Sequence, residues 1–430
     1  MGQGRDGPAT HSAGRCAGRD AHATANPRAA RLHSSAIAGI LLATAAAVGG
    51  CAPARPLSEI GPKPHPVQPP SAAELDQSIR RGVEFLLKSQ NKDGSWGSAR
   101  RTKDVNIYAP VPGAHTSYRV GVSALAVMAL IETESDWPQT LGDWAETLGA
   151  IDRGAAYLLA TLPTVRRDGG DVLYNIWAHA YGIRALVRMD ARAKDDPARQ
   201  ARIRRLIEQQ VEFLRRFECL SGGWGYYDFS YHTQQPATMA MPFMTGTVLI
   251  ALHEAAGVGV AVPQRLVDRG LAEIRRARRP DMTYAYSDRH LFQGYRAINV
   301  PAGSLGRSQV CNLALRTWGD PKITDAVLET WLDRLMAREG WLSRARKMPV
   351  PHESFFQIAG YFYYYGLFYA AACIDQLPPQ RRGHFQDHLG RILIQLQEKD
   401  GSWWDYPLYD YHQTWGTAMA LMSLHRCRRN

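Results

Sequence analysis

The stretch Phe85-Leu-Leu-Lys-Ser-Gln-Asn-Lys-Asp-Gly-Ser-Trp96 has two further copies in the chain, and this repeat decides the fold. The copies align without gaps and are Phe213-Leu-Arg-Arg-Phe-Glu-Cys-Leu-Ser-Gly-Gly-Trp224 and Ile392-Leu-Ile-Gln-Leu-Gln-Glu-Lys-Asp-Gly-Ser-Trp403. A glycine at the shared position ends a helix in a left-handed cap, and the tryptophan that follows fixes the next loop against the helix layer. Glu339-Gly340-Trp341 is predicted to be a shorter copy.

Two kinds of helix alternate along the chain on either side of the repeat. Before its first copy, Ile79, Val83 and Leu86 form a stripe with helical spacing, and charged residues occupy the opposite face. After it, residues 120–131 form a run that is apolar on all sides. An amphipathic helix exposes one face to solvent and buries the other, whereas a helix that is apolar on all sides must be buried on every side.

This alternation occurs six times and predicts an all-α protein. The amphipathic helices are expected near 75–90, 150–162, 200–218, 264–278, 323–338 and 383–398. The apolar helices are expected near 117–132, 172–189, 237–256, 303–317, 355–376 and 413–427. Two nested rings satisfy both kinds of helix, so residues 72–430 are predicted to form an α/α toroid, or (α/α)6 barrel, around a central cavity.

The repeat resembles the QW repeat of squalene–hopene cyclases and their prenyltransferase relatives. Gln90–Trp96 and Gln397–Trp403 carry the resemblance, each with a Gln followed after three residues by Gly-Ser-Trp, and Arg81–Leu86 fits the same pattern. The resemblance implies a toroid of paired helices whose cavity holds an apolar or isoprenoid-like ligand.

The chemical motifs of that family are missing from the sequence. It contains no DxDD acid, no DDxxD magnesium motif, no Asp-x-Cys zinc pair and no Gly-Cys-Gly-Glu-Gln thioester. Asp195-Asp196-Pro197 lacks a following acid at the right spacing. We therefore expect no metal and no cofactor, and whether the chain is an enzyme stays open.

The first 50 residues are predicted to be a leader with a lipoprotein signal peptide. The apolar run Ile37–Val48 has the length of a signal-peptide core, and it is followed by Gly-Gly-Cys51, which resembles a bacterial lipobox. Residues 51–71 are rich in proline and are predicted to be a tether. Acylated Cys51 is expected to bind membrane lipid, and Ala52 in place of Asp favours the outer membrane, facing the periplasm.

The net charge of the chain is compatible with several kinds of partner. The 430-residue chain carries a formal net charge of +11, much of it on predicted outer helices. This is typical of a solvated basic surface, and contact with anionic lipid or acidic polysaccharide is the alternative. Because no nucleic-acid-binding motif is present, no nucleic-acid partner is expected.

A histidine stands near the start of five predicted inner helices. In a closed ring these segments share one end of the barrel, where His beside a carboxylate suits general acid–base catalysis. The candidate catalytic residues are Asp228, Tyr231, His232, Asp410, Tyr411 and His412. The candidate ligand-binding residues are His115, His290, His352 and Glu353. The alternative is that these residues cap the free N–H groups of the helices.

A tyrosine-rich stretch, residues 361–369, lies on the fifth predicted inner helix. Helical spacing places Tyr361 and Tyr365 on one face, which suits a lumen that binds a flat apolar ligand, a sugar or a cation. Asn175 on the second inner helix is a further candidate for the lumen. Packing of the protein core is the alternative for all three residues.

Three functions are compatible with these observations. The first is an exported squalene-cyclase-like toroid that binds an isoprenoid-like ligand. The second is a polysaccharide lyase or another carbohydrate-binding (α/α)6 protein, favoured by the basic charge and by the Tyr-His pairs. The third is a scaffold whose cavity is filled with side chains.

Overall fold

The computed structural model describes residues 55–103, 112–134, 144–228, 237–352 and 357–428. Within these ranges helices are the only regular elements apart from isolated bridges. The outer helices are α1 (Ala72–Ser89), α3 (Trp144–Thr161), α5 (Pro197–Arg216), α7 (Gln264–Ala277), α9 (Asp325–Ala337) and α12 (Pro379–Gln395). The inner helices are α2 (Pro112–Thr133), α4 (Asn175–Arg192), α6 (Pro242–Gly257), α8 (Pro301–Thr317), α11 (Tyr363–Asp375) and α13 (His412–Cys427). A short helix, α10 (Glu339–Ser343), follows α9.

The inner helices form a closed ring, which confirms the predicted α/α toroid. In order, α2, α4, α6, α8, α11 and α13 each pack on the next helix, and α13 packs on α2. The outer helices α3, α5, α7, α9 and α12 pack on the inner helix that precedes them, and α1 packs on α13. By length and composition Gly113–Thr133 of α2 is apolar enough to span a membrane, yet every residue from Val120 to Leu130 is buried in the ring.

The three repeat tryptophans connect each outer helix to the inner helix that follows it. The indole Nε1 of Trp96, Trp224 and Trp403 donates to the backbone carbonyl ten residues earlier, at 2.8 Å in every copy. The backbone N–H of each tryptophan donates to a Ser or Thr hydroxyl on the next inner helix, at 2.9 to 3.0 Å. Because these groups are buried, the repeat supplies partners that the interior would otherwise lack.

The repeat glycine connects neighbouring outer helices. All three repeat glycines are left-handed, with φ between +86° and +90°. A Cβ atom on Gly401 would lie 2.3 Å from the carbonyl oxygen of Arg81, so no larger residue fits there. The Arg81 guanidinium in turn donates to Gln397 Oε1 at 3.3 Å and to the carbonyl of Glu398 at 2.6 Å. This contact connects the turn after α12 to helix α1.

A fourth copy of the turn lacks both glycine and tryptophan, so the sequence comparison missed it. Met282 takes the left-handed position with φ of +59°, and Tyr284 takes the place of the tryptophan. Asp281 accepts from the N–H of Thr283 at 3.0 Å, as the aspartate of the third copy does from its serine. The copy expected at Glu339–Trp341 is wrong, because these residues lie within α10.

Three inner helices begin later than predicted. Helix α6 begins at Pro242 rather than near 237, because a proline favours the first helical position and Met241 before it is extended. Helix α4 begins at Asn175 because Val172 pairs as an isolated bridge with Tyr227. Helix α11 follows a single 3₁₀ turn and begins at Tyr363.

Ion pairs connect the C-terminal halves of α2, α4, α6 and α13, at the end of the ring away from the repeat turns. Arg184 contacts Glu254 at 3.0 Å, and Arg188 contacts both Glu254 and Glu132. Arg426 contacts Glu132 at 3.0 Å. Buried charges of both signs are therefore paired with one another at this end.

The described part of the proline-rich segment, from residue 55 to residue 71, lies against outer helices. Arg334 of α9 donates to the carbonyl of Ile60 at 2.7 Å, and Arg391 of α12 donates to the carbonyl of Gln68 at 3.2 Å. Ser71 caps α1. Cys51 and the predicted leader lie outside the described residues, so lipidation stays a prediction.

Candidate functional site

A cavity of about 370 Å³ lies where the inner helices begin. Its wall combines residues from the first turns of α6, α11 and α13, the first two turns of α4 and the second and third turns of α2 with residues of the loops that lead into these helices. The wall is dominated by aromatic rings, which are Tyr118, Tyr174, Trp177, Tyr181, Tyr226, Tyr227, Phe243, Tyr286, Tyr361, Phe362, Tyr365, Tyr406, Tyr411 and Trp415. The ring faces form a mostly apolar lining.

The repeat turn places several of these residues. Two positions after the aromatic residue of the turn, the copies with Trp224, Tyr284 and Trp403 carry Tyr226, Tyr286 and Asp405, and all three line the cavity. The next residue lines it in two copies, as Tyr227 and Tyr406. Because the turn is anchored to both helix layers, the residues just after it are held at the cavity wall.

Several tyrosine hydroxyls of the wall bind one another or the backbone. Tyr226 and Tyr286 hydroxyls lie 2.6 Å apart, and the hydroxyls of Tyr174 and Tyr227 are also in contact. Tyr365 donates to the carbonyl of Phe243 at 2.9 Å. With their hydroxyls paired, the rings present mainly their faces and edges to the cavity.

Asp405 is the carboxylate among the described lining residues. Its Oδ2 accepts from the backbone N–H of Tyr364 at 3.1 Å, and the residue is 1% exposed. Burial raises the pKa of Asp405 to about 7. A carboxyl that is partly protonated near neutral pH can donate a proton inside the cavity.

His352 presents an unprotonated ring nitrogen to the cavity. Its Nδ1 lies 3.1 Å from the carbonyl of Gln357, and because a carbonyl only accepts, Nδ1 carries the hydrogen. The opposite nitrogen, Nε2, therefore accepts from the Tyr361 hydroxyl at 2.9 Å, and the Tyr286 hydroxyl lies 3.4 Å from it. Burial lowers the pKa of His352 to about 4, so the ring is neutral at pH 7.

His412 is oriented in the same way on another part of the wall. Its Nδ1 donates to the carbonyl of Tyr409 at 2.6 Å, which leaves Nε2 without a hydrogen. His290 also lines the cavity, and its Nδ1 lies 2.8 Å from the Ser287 hydroxyl. Burial lowers the pKa of both rings.

A buried cation lies behind the aromatic wall. The Arg307 guanidinium is 4.9 Å from the ring centre of Tyr286, 5.6 Å from that of Phe243 and 5.7 Å from that of Phe362. It donates to the backbone carbonyls of Ile298 and Gly303. Its charge therefore acts on the wall through the rings.

Six of the residues selected from the sequence line this cavity, namely His290, His352, Tyr361, Tyr365, Tyr411 and His412. Tyr231, His232 and Glu353 lie outside the described residues, so the structure does not bear on them. Tyr411 contacts His115, whose Nδ1 lies 3.2 Å from the Tyr411 hydroxyl.

Four selected residues do not reach the cavity wall. Asp410 binds Arg100 at 2.7 Å. Buried Asp228 accepts from Thr238 at 2.9 Å. His115 packs against the edge of a neighbouring tyrosine, and Asn175 is buried beside the lumen without lining it. Hydrogen bonds to other loops, rather than the cavity, account for the two carboxylates.

Asp405 is the main residue of the site that sequence reasoning missed. Its position two residues after the repeat tryptophan is the available signal, because Tyr226 occupies the same place in another copy. Within the described residues, no three His, Cys, Asp or Glu side chains are placed to share a metal ion.

Comparisons with known proteins bear on the fold. No protein-family model matches the sequence. D-mannose isomerase matches at 11% identity with a TM-score of 0.51, over 83% of this chain and 97% of that one. Cellobiose 2-epimerase from Spirochaeta thermophila matches at 14% identity with a TM-score of 0.50, over 83% of this chain and 96% of that one. The type II terpene cyclase MstE from Scytonema matches at 14% identity with a TM-score of 0.46, over 83% of this chain and 98% of that one. The first two similarities show that the chain has the α/α-toroid fold.

Proposed function

We propose that the chain is a squalene-cyclase-like toroid that binds a largely non-polar, isoprenoid-like molecule in the aromatic cavity. The observation that carries the proposal is the aromatic wall, which presents few ionisable side chains. No lysine or arginine is among the described lining residues. Burial lowers the pKa values of His290, His352 and His412, which favours their neutral forms, and burial raises the pKa of Asp405 to about 7, so this carboxyl is partly neutral at pH 7.

Such a wall favours a hydrocarbon over a sugar. Each Å² of apolar ligand surface removed from water contributes about 25 cal/mol, at no cost in desolvated protein charge. A sugar would bury many hydroxyls, and each hydroxyl without a partner costs about 1–3 kcal/mol. The wall hydroxyls of Tyr226, Tyr286 and Tyr365 already have partners. An anionic polysaccharide would also need cations that this wall does not present.

The size of the cavity fits a small lipid. Its volume of about 370 Å³ lies in the range of roughly 300–1,000 Å³ that small-molecule sites occupy. Acylation of Cys51 would hold the toroid at the outer membrane, close to a supply of non-polar molecules. Labelling of cells with radioactive palmitate tests this part, since the label should be lost in Cys51→Ser.

Ligand binding is tested with two tryptophans of the wall as reporters. Trp177 and Trp415 line the cavity, so a bound molecule should change their fluorescence. The purified chain is titrated with farnesol, cellobiose and polygalacturonate. We expect a saturable change with farnesol, which Val122→Phe should weaken because Val122 lines the cavity. Val187→Phe is the matched control, because Val187 does not line it.

The outcomes separate the three functions. Saturable binding of farnesol that is weakened by Val122→Phe alone supports the proposal. Binding of cellobiose, or release of unsaturated product from polygalacturonate, favours the carbohydrate function and contradicts the proposal. Absence of binding with every probe, together with no lipid in mass spectra of extracts of the purified protein, favours the scaffold.

A further inference from the structure

Strained backbone orients the cavity histidines. His352 and Gln357 have φ of +54° and +49°, and Gln357 supplies the carbonyl that holds His352 Nδ1. Tyr409, with φ of +46°, supplies the carbonyl that holds His412 Nδ1. The described residues include five non-glycine residues with positive φ, and three of the five are His352, Gln357 and Tyr409. Such conformations cost about 1–3 kcal/mol each, and they persist where a site requires them.

The strained segments fix which ring nitrogen is free. If the histidines served packing alone, either tautomer would do. Instead the Nδ1–H groups of His352 and His412 both donate to a backbone carbonyl, and His352 Nε2 accepts from the Tyr361 hydroxyl. The Arg307 charge, 4.9 Å from the Tyr286 ring, opposes a second positive charge on His352 nearby. The ring is therefore held as an acceptor that readily gives a proton up again.

The donor lies on an adjacent part of the same wall. Tyr361 packs against the ring of Tyr406, with 5.5 Å between ring centres, and Asp405 is the residue before it. Aromatic rings line the cavity that both groups border, and the faces of such rings stabilise positive charge by about 0.5–2 kcal/mol per ring. An acid, a base and a surface for a cationic intermediate thus share one cavity.

We propose that Asp405 and the Tyr361–His352 pair are the acid and base of an elimination reaction that removes water from an isoprenoid alcohol. This inference rests on the proposed function, because it requires the non-polar ligand to lie in this cavity. It needs no cofactor. It also narrows the ligand to one that carries a hydroxyl on an allylic or tertiary carbon.

The reaction balances with these groups alone. Asp405 donates its proton to the hydroxyl oxygen, the C–O bond breaks, and its electron pair leaves with water. In an allylic alcohol the positive charge that remains is shared between the carbon that carried the hydroxyl and the far end of the neighbouring double bond. A proton on a carbon attached to that far end (or, in a tertiary alcohol, to the carbon that carried the hydroxyl) passes to Tyr361 Oη as the phenolic proton passes to His352 Nε2, and the C–H electron pair becomes the new double bond. The proton on His352 returns to Asp405 through solvent.

The strengths of the two groups suit this chemistry. An acid with a pKa of about 7 is suited to protonating an alcohol oxygen as the C–O bond breaks, rather than an unactivated double bond. A weakly basic ring suffices as the acceptor, because a carbocation is a far stronger acid than an imidazolium.

The test uses farnesol, an allylic alcohol, with the full chain and gas chromatography of the hydrocarbon product. The wild-type chain should form C15 dehydration product, at a rate that falls above about pH 7 as Asp405 loses its proton. His352→Asn and Tyr361→Phe should lower the rate by about 100-fold or more without weakening farnesol binding. Asn tolerates the left-handed backbone at 352, so the variant should remain folded.

Two results would overturn the assignment. One is farnesol that binds in the fluorescence assay but gives no hydrocarbon; the other is a wild-type rate in His352→Asn.

A measurement without ligand tests separately whether His352 Nε2 is free to accept a proton. In spectra of protein labelled with ¹⁵N-histidine, the signal missing from His352→Asn should show a neutral ring with its hydrogen on Nδ1 at pH 7, and a hydrogen on Nε2 would refute the base. Failure of farnesol to bind contradicts the proposed function instead.

Discussion

Asp405→Asn should make the protein more stable at neutral and alkaline pH. In the folded chain burial raises the pKa of Asp405 from 3.8 to about 7, whereas the unfolded chain has the ordinary value. Above pH 3.8 the unfolded state therefore gains free energy by releasing a proton that the folded state retains. The contribution of this carboxyl to the free energy of unfolding is therefore fully present below pH 3.8, and it decreases progressively as the pH rises to about 7.

The size of the effect follows from the two pKa values. Their separation corresponds to about 4 kcal/mol, since one pKa unit is about 1.4 kcal/mol. At about 2.1 cal/mol/K of unfolding entropy per residue, 4 kcal/mol shifts the Tm of a toroid of this size by about 5 °C. Asn cannot ionise, and its carbonyl oxygen can still accept from the N–H of Tyr364.

Thermal unfolding measured from pH 4 to pH 8.5 tests this reasoning. The Tm of Asp405→Asn should match that of the wild type near pH 4, exceed it increasingly with pH, and keep a constant advantage above pH 7. Asp152→Asn is the control, because the Asp152 side chain is 66% exposed and its replacement should shift the curve little at any pH. Curves for Asp405→Asn and wild type that run parallel across the range would show that Asp405 is not held neutral.

Three other substitutions test the fold. Burial raises the pKa of Glu273 well above its ordinary value, so Glu273→Gln should raise the Tm at pH 8 but not at pH 4, and a gain independent of pH would contradict this. Gly401→Ala should destabilise by more than about 2 kcal/mol, because a left-handed φ and a backbone clash combine, whereas Gly257→Ala should be neutral or stabilising by about 0.5–1 kcal/mol in denaturant unfolding. Glu254→Gln should cost about 3 kcal/mol by leaving two buried arginines partly unpaired, whereas Glu212→Gln at an exposed ion pair should cost less than about 1 kcal/mol; equal costs would refute the account of the ion pairs.

The fold was largely predictable from the sequence, because burial leaves a periodic pattern. The alternation of one-sided and all-apolar helices gave both rings. The starts of the inner helices were less predictable. Pro242 marks the start of α6 in the sequence, but α11 begins only after Gly360, where the backbone passes within contact distance of the carbonyls of Ala345 and Asp405. No local pattern in a sequence reveals such a close approach.

The candidate site was only partly predictable. Loops at the starts of inner helices do carry cavity histidines, as His290, His352 and His412 show. The local sequence could not show that Asp410 faces Arg100 instead, since that depends on a loop more than 300 residues away. Nor could it show that Asp405 points inward, because the other copies of the repeat carry a different residue type at that place.

The hydrogen bond between Arg81 and Gln397 joins the first helix pair to the last, so the ends of the chain do not interrupt the ring. Helix α1 lies beside α13, and Arg428, just after α13, contacts Asp76 of α1 at 3.1 Å. The same ring could therefore form from a chain in which the six helix pairs begin at a different pair. A circular permutant, with residue 428 joined to residue 72 by a short linker and new termini in the exposed turn between α6 and α7, would retain the contacts among α1 to α13, although it would lose those that residues 55–71 make with α9 and α12.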